Sequence, residues 1–209
     1  KSPPEGGKTW QPWEAGEEVQ LKEIGDKVYF KGNNPEGFSH RSMEGGDKNP
    51  YTTFRMTGYI AASGSVMSLI DGEGTSTVIP NDYCFSHLFY NCTSLPQAPE
   101  LPATKLTAGC YDDMFYQCIS LEKAPELPAT QLEDGCYSRM FMYCESLTQA
   151  PDLPALEMKE HCYSNMFLAC RKLEKAPELP ATTLATGCYA AMFNDCQKLV
   201  VAPELPATT

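Results

Sequence analysis

Ten cysteines give this chain candidate nucleophiles, metal ligands and disulfide partners. They form five pairs with seven residues between the two members, and the pairs recur every 26 residues: Cys84 and Cys92, Cys110 and Cys118, Cys136 and Cys144, Cys162 and Cys170, Cys188 and Cys196. Zinc sites use closer pairs such as Cys-x-x-Cys, and a cysteine nucleophile needs a base beside it. The spacing therefore predicts no metal site and no bound cofactor.

Three histidines, His40, His87 and His161, are the candidates for such a base. His87 and His161 fall at different positions of their repeats, so they do not form a repeated ligand set. Paired carboxylates could act as they do in glycosidases, but the acids here recur with the 26-residue period, which fits surface decoration better. The prediction is that the protein is not an enzyme.

The same cysteines raise the question of disulfides. If one copy is helical, Cys110 and Cys118 lie about 12 Å apart, which is too far for a bond. Equivalent cysteines of neighbouring copies stand about 5 Å apart if a sheet joins the copies, which is within bonding distance. Buried free cysteine is also an ordinary core residue. Reduced columns and some disulfides between copies both stay open on the sequence.

One acidic residue stands between the two prolines of every copy, and the five are called the acid stripe below: Glu100, Glu126, Asp152, Glu178 and Glu204. In copies stacked about 5 Å apart, each neighbouring pair of carboxylates costs about 1 kcal/mol in water. One interpretation is a solvated stripe relieved by salt and nearby lysines. The other is a docking edge for cations or a basic partner, which makes these acids the candidate partner-binding residues.

The elements that position these residues follow from the 26-residue period, because self-similarity at this interval indicates stacked repeats. Residues 110–118 place apolar side chains at relative positions 0, 1, 4, 5 and 8, which predicts a helix of about two turns. Residues 121–128 contain two prolines and are predicted to be extended, so any parallel sheet is only a few residues wide. The predicted fold class is an α/β repeat solenoid whose equivalent residues form core columns.

Three regions follow along the chain. Residues 1–16 are predicted to be an extended lead-in whose Trp10 and Trp13 dock on the next region. Residues 17–74 alternate apolar and charged residues around a turn at Gly25 and Asp26, which predicts a small antiparallel β unit covering the first repeat. Residues 75–209 are predicted to be five repeats. Because the chain starts at Lys1 and stops within a repeat, we expect a removed signal peptide and further repeats beyond Thr209.

The formal net charge of −11 favours neither nucleic acid nor an anionic membrane as partner, since both bind basic surfaces. No run of about 18 apolar residues could span a bilayer.

The pattern Phe115-x-x-Cys118-x-x-Leu121-x-x-Ala124, with its copies every 26 residues, resembles the Treponema pallidum-type leucine-rich repeat of BspA-like bacterial surface proteins. Residues 25–32 and 64–70 are similar to the β segment that precedes such repeats. The resemblance spans roughly residues 17–209. It implies a leucine-rich-repeat-like stack, a secreted or cell-surface location, and a role in binding or adhesion.

Two classes of function remain on the sequence. The first is a binding or adhesion module that presents a repeated face to a protein or glycan partner. The second is a structural spacer that carries other domains away from the cell surface. A contiguous exposed aromatic patch would favour binding, because such patches mark interaction sites.

Overall fold

The computed structural model describes residues 10–14, 16–39 and 51–206. Within these residues the only helix is α1 (Ser68–Asp71), and pairing between extended segments is limited to isolated β-bridges. Most of the lead-in predicted at residues 1–16, His40 and the last three residues lie outside the described part. The five copies consist mainly of turns and extended segments.

Residues 83–92, 109–118, 135–144, 161–170 and 187–196 form one run of tight turns per copy, called the turn run below. Every fourth residue has a positive φ: Gly109, Asp113 and Gln117 have values of 58°, 55° and 57°. Between them, the N–H of Met114 donates to the carbonyl of Tyr111, three residues back. The prediction of a two-turn helix at residues 110–118 is therefore wrong. A four-residue turn period buries positions 0, 1, 4, 5 and 8 just as a helix does.

In the first four turn runs, the remaining amides donate to the next copy. The N–H groups of Tyr111, Asp113 and Phe115 donate to the carbonyls of residues 136, 138 and 140, and each N···O distance is 3.0 Å. Five such bonds join each copy to the following one at all four interfaces. Every one runs from an N–H of the earlier copy to a C=O of the later copy. Backbone groups that a helix would satisfy internally are satisfied here between copies.

Aromatic side chains at equivalent positions stack along the copies. Ring centroids of successive phenylalanines, from Phe89 to Phe193, lie 5.6 to 5.8 Å apart with nearly parallel planes. A second column runs from Tyr111 to Tyr189 at 5.7 to 6.0 Å. The phenylalanines of the three middle copies are fully buried. These columns are the centre of the hydrophobic core.

The proline-containing segments are extended and meet only at single residues. Parallel bridges join Gln97, Lys123, Gln149 and Lys175 in succession, which keeps neighbouring copies in register. Prolines close to each bridge have no backbone N–H to donate to a neighbouring strand. The pairing therefore does not extend beyond isolated bridges.

The residues before the copies lack the predicted antiparallel strand pair in the part that the structure describes. The turn at Gly25 and Asp26 does form, since the N–H of Asp26 donates to the carbonyl of Glu23. The segment that follows pairs elsewhere: Gly32 and Asn34 donate to the carbonyls of Ser68 and Ile70, around α1. Helix α1 itself buries Leu69 and Ile70 and ends at Gly72, which is left-handed with φ 75°.

Phe54 occupies the place that a phenylalanine of a preceding copy would take. Its ring stacks 5.6 Å from that of Phe89, its N–H donates to the carbonyl of Leu88, and its own carbonyl accepts the thiol of Cys92. Phe30 packs on Phe54, and Trp13 packs edge-on against Phe30 at 5.5 Å. The N-terminal residues thus cover the first copy with contacts of the kind that join the copies.

From the hydrogen bonds and ring columns we propose that the described part of the predicted repeat region, residues 75–206, forms a solenoid of 26-residue turns. The resemblance to leucine-rich repeats remains part of that proposal.

Candidate functional site

Some side chains of successive turn runs lie together at the surface, where they form one group of charged and aromatic residues. The left-handed positions His87, Asp113 and Arg139 are equivalent in three successive copies. Beside them lies a column of half-exposed rings, called the ring column below. It consists of Tyr51, His87, Tyr90, Tyr116 and Tyr143.

The rings of the column cover one another's faces. His87 stacks on Tyr51 with centroids 4.1 Å apart and planes 4° apart, and Tyr90 stacks on Tyr116 at 4.8 Å and 3°. The ring centroids of Tyr90 and His87 are 5.1 Å apart, and the ring of Tyr143 lies nearly perpendicular to that of Tyr116, with centroids 5.5 Å apart. Ring edges and hydroxyl groups are therefore what the column presents to solvent.

Charged groups flank the ring column. Arg139 binds Asp113 through two nitrogens, with Nε 2.9 Å from Oδ1 and Nη2 2.7 Å from Oδ2. Its Nη2 also lies 3.0 Å from the carboxylate of Asp112. The hydrogen bond to Asp113 raises the pKa of Arg139, so the guanidinium stays charged. Bidentate pairs of this kind fix both partners in one orientation.

His87 is held next to this pair. Its Nε2 lies 3.5 Å from Oδ2 of Asp113. Burial lowers the pKa of His87, and the charge of Arg139 lowers it further against the opposing effect of Asp113. The imidazole is therefore neutral at neutral pH. Partial burial, followed by the neighbouring Tyr90 and Tyr143, raises the pKa of Tyr116 and keeps its hydroxyl protonated.

Ser86, His87 and Asp113 follow one another in Ser–His–Asp order, but Nδ1 of His87 faces the serine and Nε2 faces the aspartate, which is the reverse of a hydrolase triad. Sequence reasoning missed this group because Asp113 comes from the next copy. Oγ of Ser86 lies 2.8 Å from Nδ1 of His87. However, Ser86 is 0% exposed, and its hydroxyl also donates to the carbonyl of Asp112. A substrate cannot reach a nucleophile buried in this way, so we interpret the three residues as a structural network.

A second ion network lies further along the copies. Arg171 pairs with Glu145 of the preceding copy, and its Nε lies 3.1 Å from Oδ2 of Asp195 in the following copy. All three side chains are more than a third exposed, so their contribution to stability is small.

All five acids of the acid stripe are exposed, and none takes part in an ion pair of the described residues. The parallel bridges three residues upstream hold the copies in register beside them. Glu178 and Glu204 also line a groove of about 610 Å³, together with Leu179, Pro180 and Val201. The structure thus places the whole stripe at the surface.

The ten cysteines are free and buried. In the part of the chain that the structure describes, no group of three or more His, Cys, Asp or Glu side chains is placed to hold a metal ion. Nor does that part contain a helix able to cross a membrane.

The ring column was not found from the sequence, because its members do not share one repeat position. Tyr90 and Tyr116 are equivalent, Tyr143 is shifted by one residue, and Tyr51 lies outside the repeats. The sequence did contain a signal for the ion pair of Asp113 and Arg139. Asp113 and Arg139 are 26 residues apart, so stacking places opposite charges side by side.

No protein-family model, curated protein or solved structure matches this chain significantly. Function therefore has to be inferred from the geometry of the chain.

Proposed function

We propose that the chain is a non-enzymatic binding or adhesion module, secreted or held at a cell surface, which presents one lateral face of its repeats to a protein partner. The observation that carries this proposal is the ring column with the Asp112, Asp113 and Arg139 group beside it. Tyrosine and arginine are enriched at protein interfaces, where they combine apolar area with hydrogen bonding.

The orientation of the rings favours a protein over a glycan. A sugar stacks on an open aromatic face, but most faces in the ring column are covered by the next ring at 4.1 to 5.1 Å. Edges and tyrosine hydroxyls suit a surface that offers backbone carbonyls and polar side chains. The preformed pair of Arg139 and Asp113 lowers the cost of ordering these side chains on binding.

The alternative function is a structural spacer. It is supported by the continuous phenylalanine column, which makes each copy pack on the next. A spacer needs no particular side chains on its lateral face, so the two functions differ in whether the ring column binds a ligand.

A mixed array of extracellular-matrix proteins and glycans tests the proposal. The wild type is compared with a ring variant, Tyr90→Ser with Tyr116→Ser, and with a matched control on the acid stripe, Glu126→Gln with Glu178→Gln. We expect the wild type to bind a protein and the ring variant to bind it at least about tenfold more weakly, with the control unchanged. Thermal melts establish that all three proteins are folded.

Other outcomes distinguish the remaining possibilities. Binding to glycans alone contradicts the protein partner, and loss of binding in the acid-stripe control moves the site to the stripe. A wild type that binds nothing on the array supports the spacer.

A further inference from the structure

Two tyrosines of the ring column, Tyr90 and Tyr116, are the closest pair of phenol rings among the residues that the structure describes. Their ring centroids lie 4.8 Å apart and their planes differ by only 3°. In the buried tyrosine column, the centroids of neighbouring rings are 5.7 to 6.0 Å apart. The two surface rings thus lie face to face at short range.

The backbone holds this pair in register. Tyr90 and Tyr116 occupy equivalent positions of the first and second turn runs, 26 residues apart. On either side of Tyr90, the N–H groups of Phe89 and Asn91 donate to the carbonyls of residues 114 and 116 at 2.9 and 2.7 Å. Because both side chains start from backbones fixed side by side, the rings face each other without any rearrangement of the fold.

The surface pair differs from the buried tyrosine column in its access to water. Tyr90 is 36% exposed, and Tyr116 is half-buried. Tyr111, Tyr137 and Tyr163 are each 1% exposed, and burial raises the pKa of all three hydroxyls. A reaction that releases a hydroxyl proton to water is therefore open to the surface pair and closed to the buried column.

Oxidation is a reaction of this kind, and it joins phenol rings. Removal of one electron from a tyrosine ring, with loss of the hydroxyl proton to water, leaves a phenoxyl radical. Its unpaired electron is shared with the ring carbons next to the hydroxyl-bearing carbon. Two such carbons on facing radicals form a carbon–carbon bond, after which each carbon loses its hydrogen as a proton and each oxygen regains one. The pair loses two electrons and two protons in total, which reduce one hydrogen peroxide to two waters.

Other side chains compete weakly for this coupling. The cysteines are all buried, and burial raises the pKa of Cys92 to about 11, so little of the oxidisable thiolate is present. The ring of Tyr143 lies at 81° to that of Tyr116 and is not face to face with it. Tyr59 is 71% exposed, but it stacks on no ring of the described residues. The geometry thus favours one pair.

We propose that Tyr90 and Tyr116 are a site of covalent modification, at which a haem peroxidase and hydrogen peroxide join the two rings as dityrosine. The new bond crosses the interface between the first and second copies and joins residues 26 positions apart. A crosslink of this kind restricts the unfolded chain and so stabilises the interface. It forms within one molecule and without any bound partner, so it does not depend on the proposed function.

Peroxidase treatment of the dilute full-length protein tests the proposal. After addition of hydrogen peroxide, the monomer is isolated by size-exclusion chromatography. Dityrosine fluorescence then measures the yield, and mass spectrometry of proteolytic peptides identifies the joined residues. We expect the crosslink between Tyr90 and Tyr116 to exceed that of any other pair in the monomer at least about tenfold, because groups held face to face react at a high effective concentration.

Single substitutions assign the yield to this pair. Tyr90→Phe and Tyr116→Phe keep a ring in the column but remove a hydroxyl, and each should lower the yield at least about tenfold. The matched control Tyr59→Phe removes a more exposed tyrosine and should leave the yield unchanged. Circular dichroism establishes that the three variants are folded.

Moving the pair along the copies separates stacking from mere proximity in the chain. Met142 and Leu168 occupy the same position in the third and fourth copies. Tyr90→Phe with Met142→Tyr should therefore move the crosslink to positions 116 and 142. Tyr90→Phe with Leu168→Tyr should give at least about tenfold less, since positions 116 and 168 are two copies apart.

Three results would overturn the proposal. They are a wild-type monomer without dityrosine, a main crosslink at a pair other than Tyr90 and Tyr116, and equal yields from the Met142→Tyr and Leu168→Tyr proteins. If either of those two proteins does not fold, the wild type and the single phenylalanine variants decide the question.

Discussion

The thiol of Cys144 donates a hydrogen bond to the backbone carbonyl of Phe115, with 3.2 Å between Sγ and the oxygen. That carbonyl also accepts the N–H of Cys118, so the thiol uses its second lone pair. Equivalent bonds of 3.1 Å join Cys92 to Phe54, Cys118 to Phe89, Cys170 to Phe141 and Cys196 to Phe167. The second cysteine of each copy thus binds the backbone of the preceding unit.

These thiols should be unreactive in the folded protein. Burial raises the pKa of Cys92 and Cys196 to about 11 and that of Cys110 to about 12. Because the thiolate is the reactive form, we expect iodoacetamide at about pH 8 to leave the native protein almost unlabelled and to label all ten cysteines in denaturant. Mass spectrometry measures the difference. Rapid labelling without unfolding would contradict the buried, protonated state.

The phenylalanine column should show a gradient of stability. Phe141 is fully buried between Phe115 and Phe167, so Phe141→Ala should cost about 3–5 kcal/mol of unfolding free energy. Phe193 stacks on one side only and is partly exposed, so Phe193→Ala should cost less. Denaturant melts of both variants test this, and equal losses would mean that the fifth copy packs as tightly as the third.

Two glycines with the same backbone should differ in their tolerance of alanine. Gly109 and Gly135 have φ of 58° and 60°. At Gly135 an added Cβ meets no atom within 4 Å, whereas at Gly109 it overlaps the ring of Tyr83. Gly135→Ala should cost about 1 kcal/mol from the left-handed backbone alone, and Gly109→Ala clearly more.

The control for this comparison is Tyr83→Ala, which removes the ring. In that background, Gly109→Ala should cost no more than Gly135→Ala. If Gly109→Ala still cost more than Gly135→Ala without the ring, the extra cost would come from the backbone and not from the overlap with Tyr83.

The acid stripe should make stability depend on salt. Its five carboxylates are exposed and form no ion pair with the bases that the structure describes, and salt screens repulsion between them. We expect the melting temperature to rise with modest NaCl, and Glu126→Gln with Glu178→Gln to reduce the rise without unfolding the protein. If the melting temperature of the double variant rose with NaCl as much as that of the wild type, the acid stripe would not be the cause of the rise. Stabilisation by millimolar Ca²⁺ beyond matched ionic strength would favour cation binding.

Asp71 should contribute stability that is lost in acid. Partial desolvation raises its pKa, but four backbone N–H donors, from residues 73–76, outweigh this and lower the pKa from 3.8 to about 2. A carboxyl with a depressed folded pKa stabilises the protein above its unfolded pKa, and this contribution disappears as pH falls through about 2. Asp71→Asn should therefore destabilise the protein at neutral pH and flatten its loss of stability between about pH 4 and pH 2. Parallel loss in both proteins would contradict the assignment.

Much of the molecule's interior follows from its sequence, because burial depends on the period of apolar residues. The buried positions of the turn run, including Cys110 and Met114, match the predicted core. The backbone path does not follow from the same pattern, since periods of 3.6 and 4 residues bury the same five positions over so short a run. Of the left-handed positions in the second copy, only Gly109 is a glycine; Asp113 and Gln117 give a weaker signal.

The candidate site was less predictable than the core. The acid stripe could be predicted from the sequence because its members share one repeat position. The contact between Tyr51 and His87 depends on how residues outside the repeats lie on the first copy, and no periodicity encodes that. The pairing of Ser86 with Asp112 and of His87 with Asp113 likewise requires knowing that neighbouring copies are in register.

The hydrogen bonds between turn runs also give the copies an electric polarity. Peptide dipoles that point the same way add, as they do in a helix. Five bonds per interface run in one direction, and an opposing bond, such as that from the N–H of Glu122 to the carbonyl of Pro96, accompanies them at the extended segments. The surplus gives the stack of copies a dipole whose positive end points toward the later copies and whose negative end points toward the first, within a chain whose formal net charge is −11.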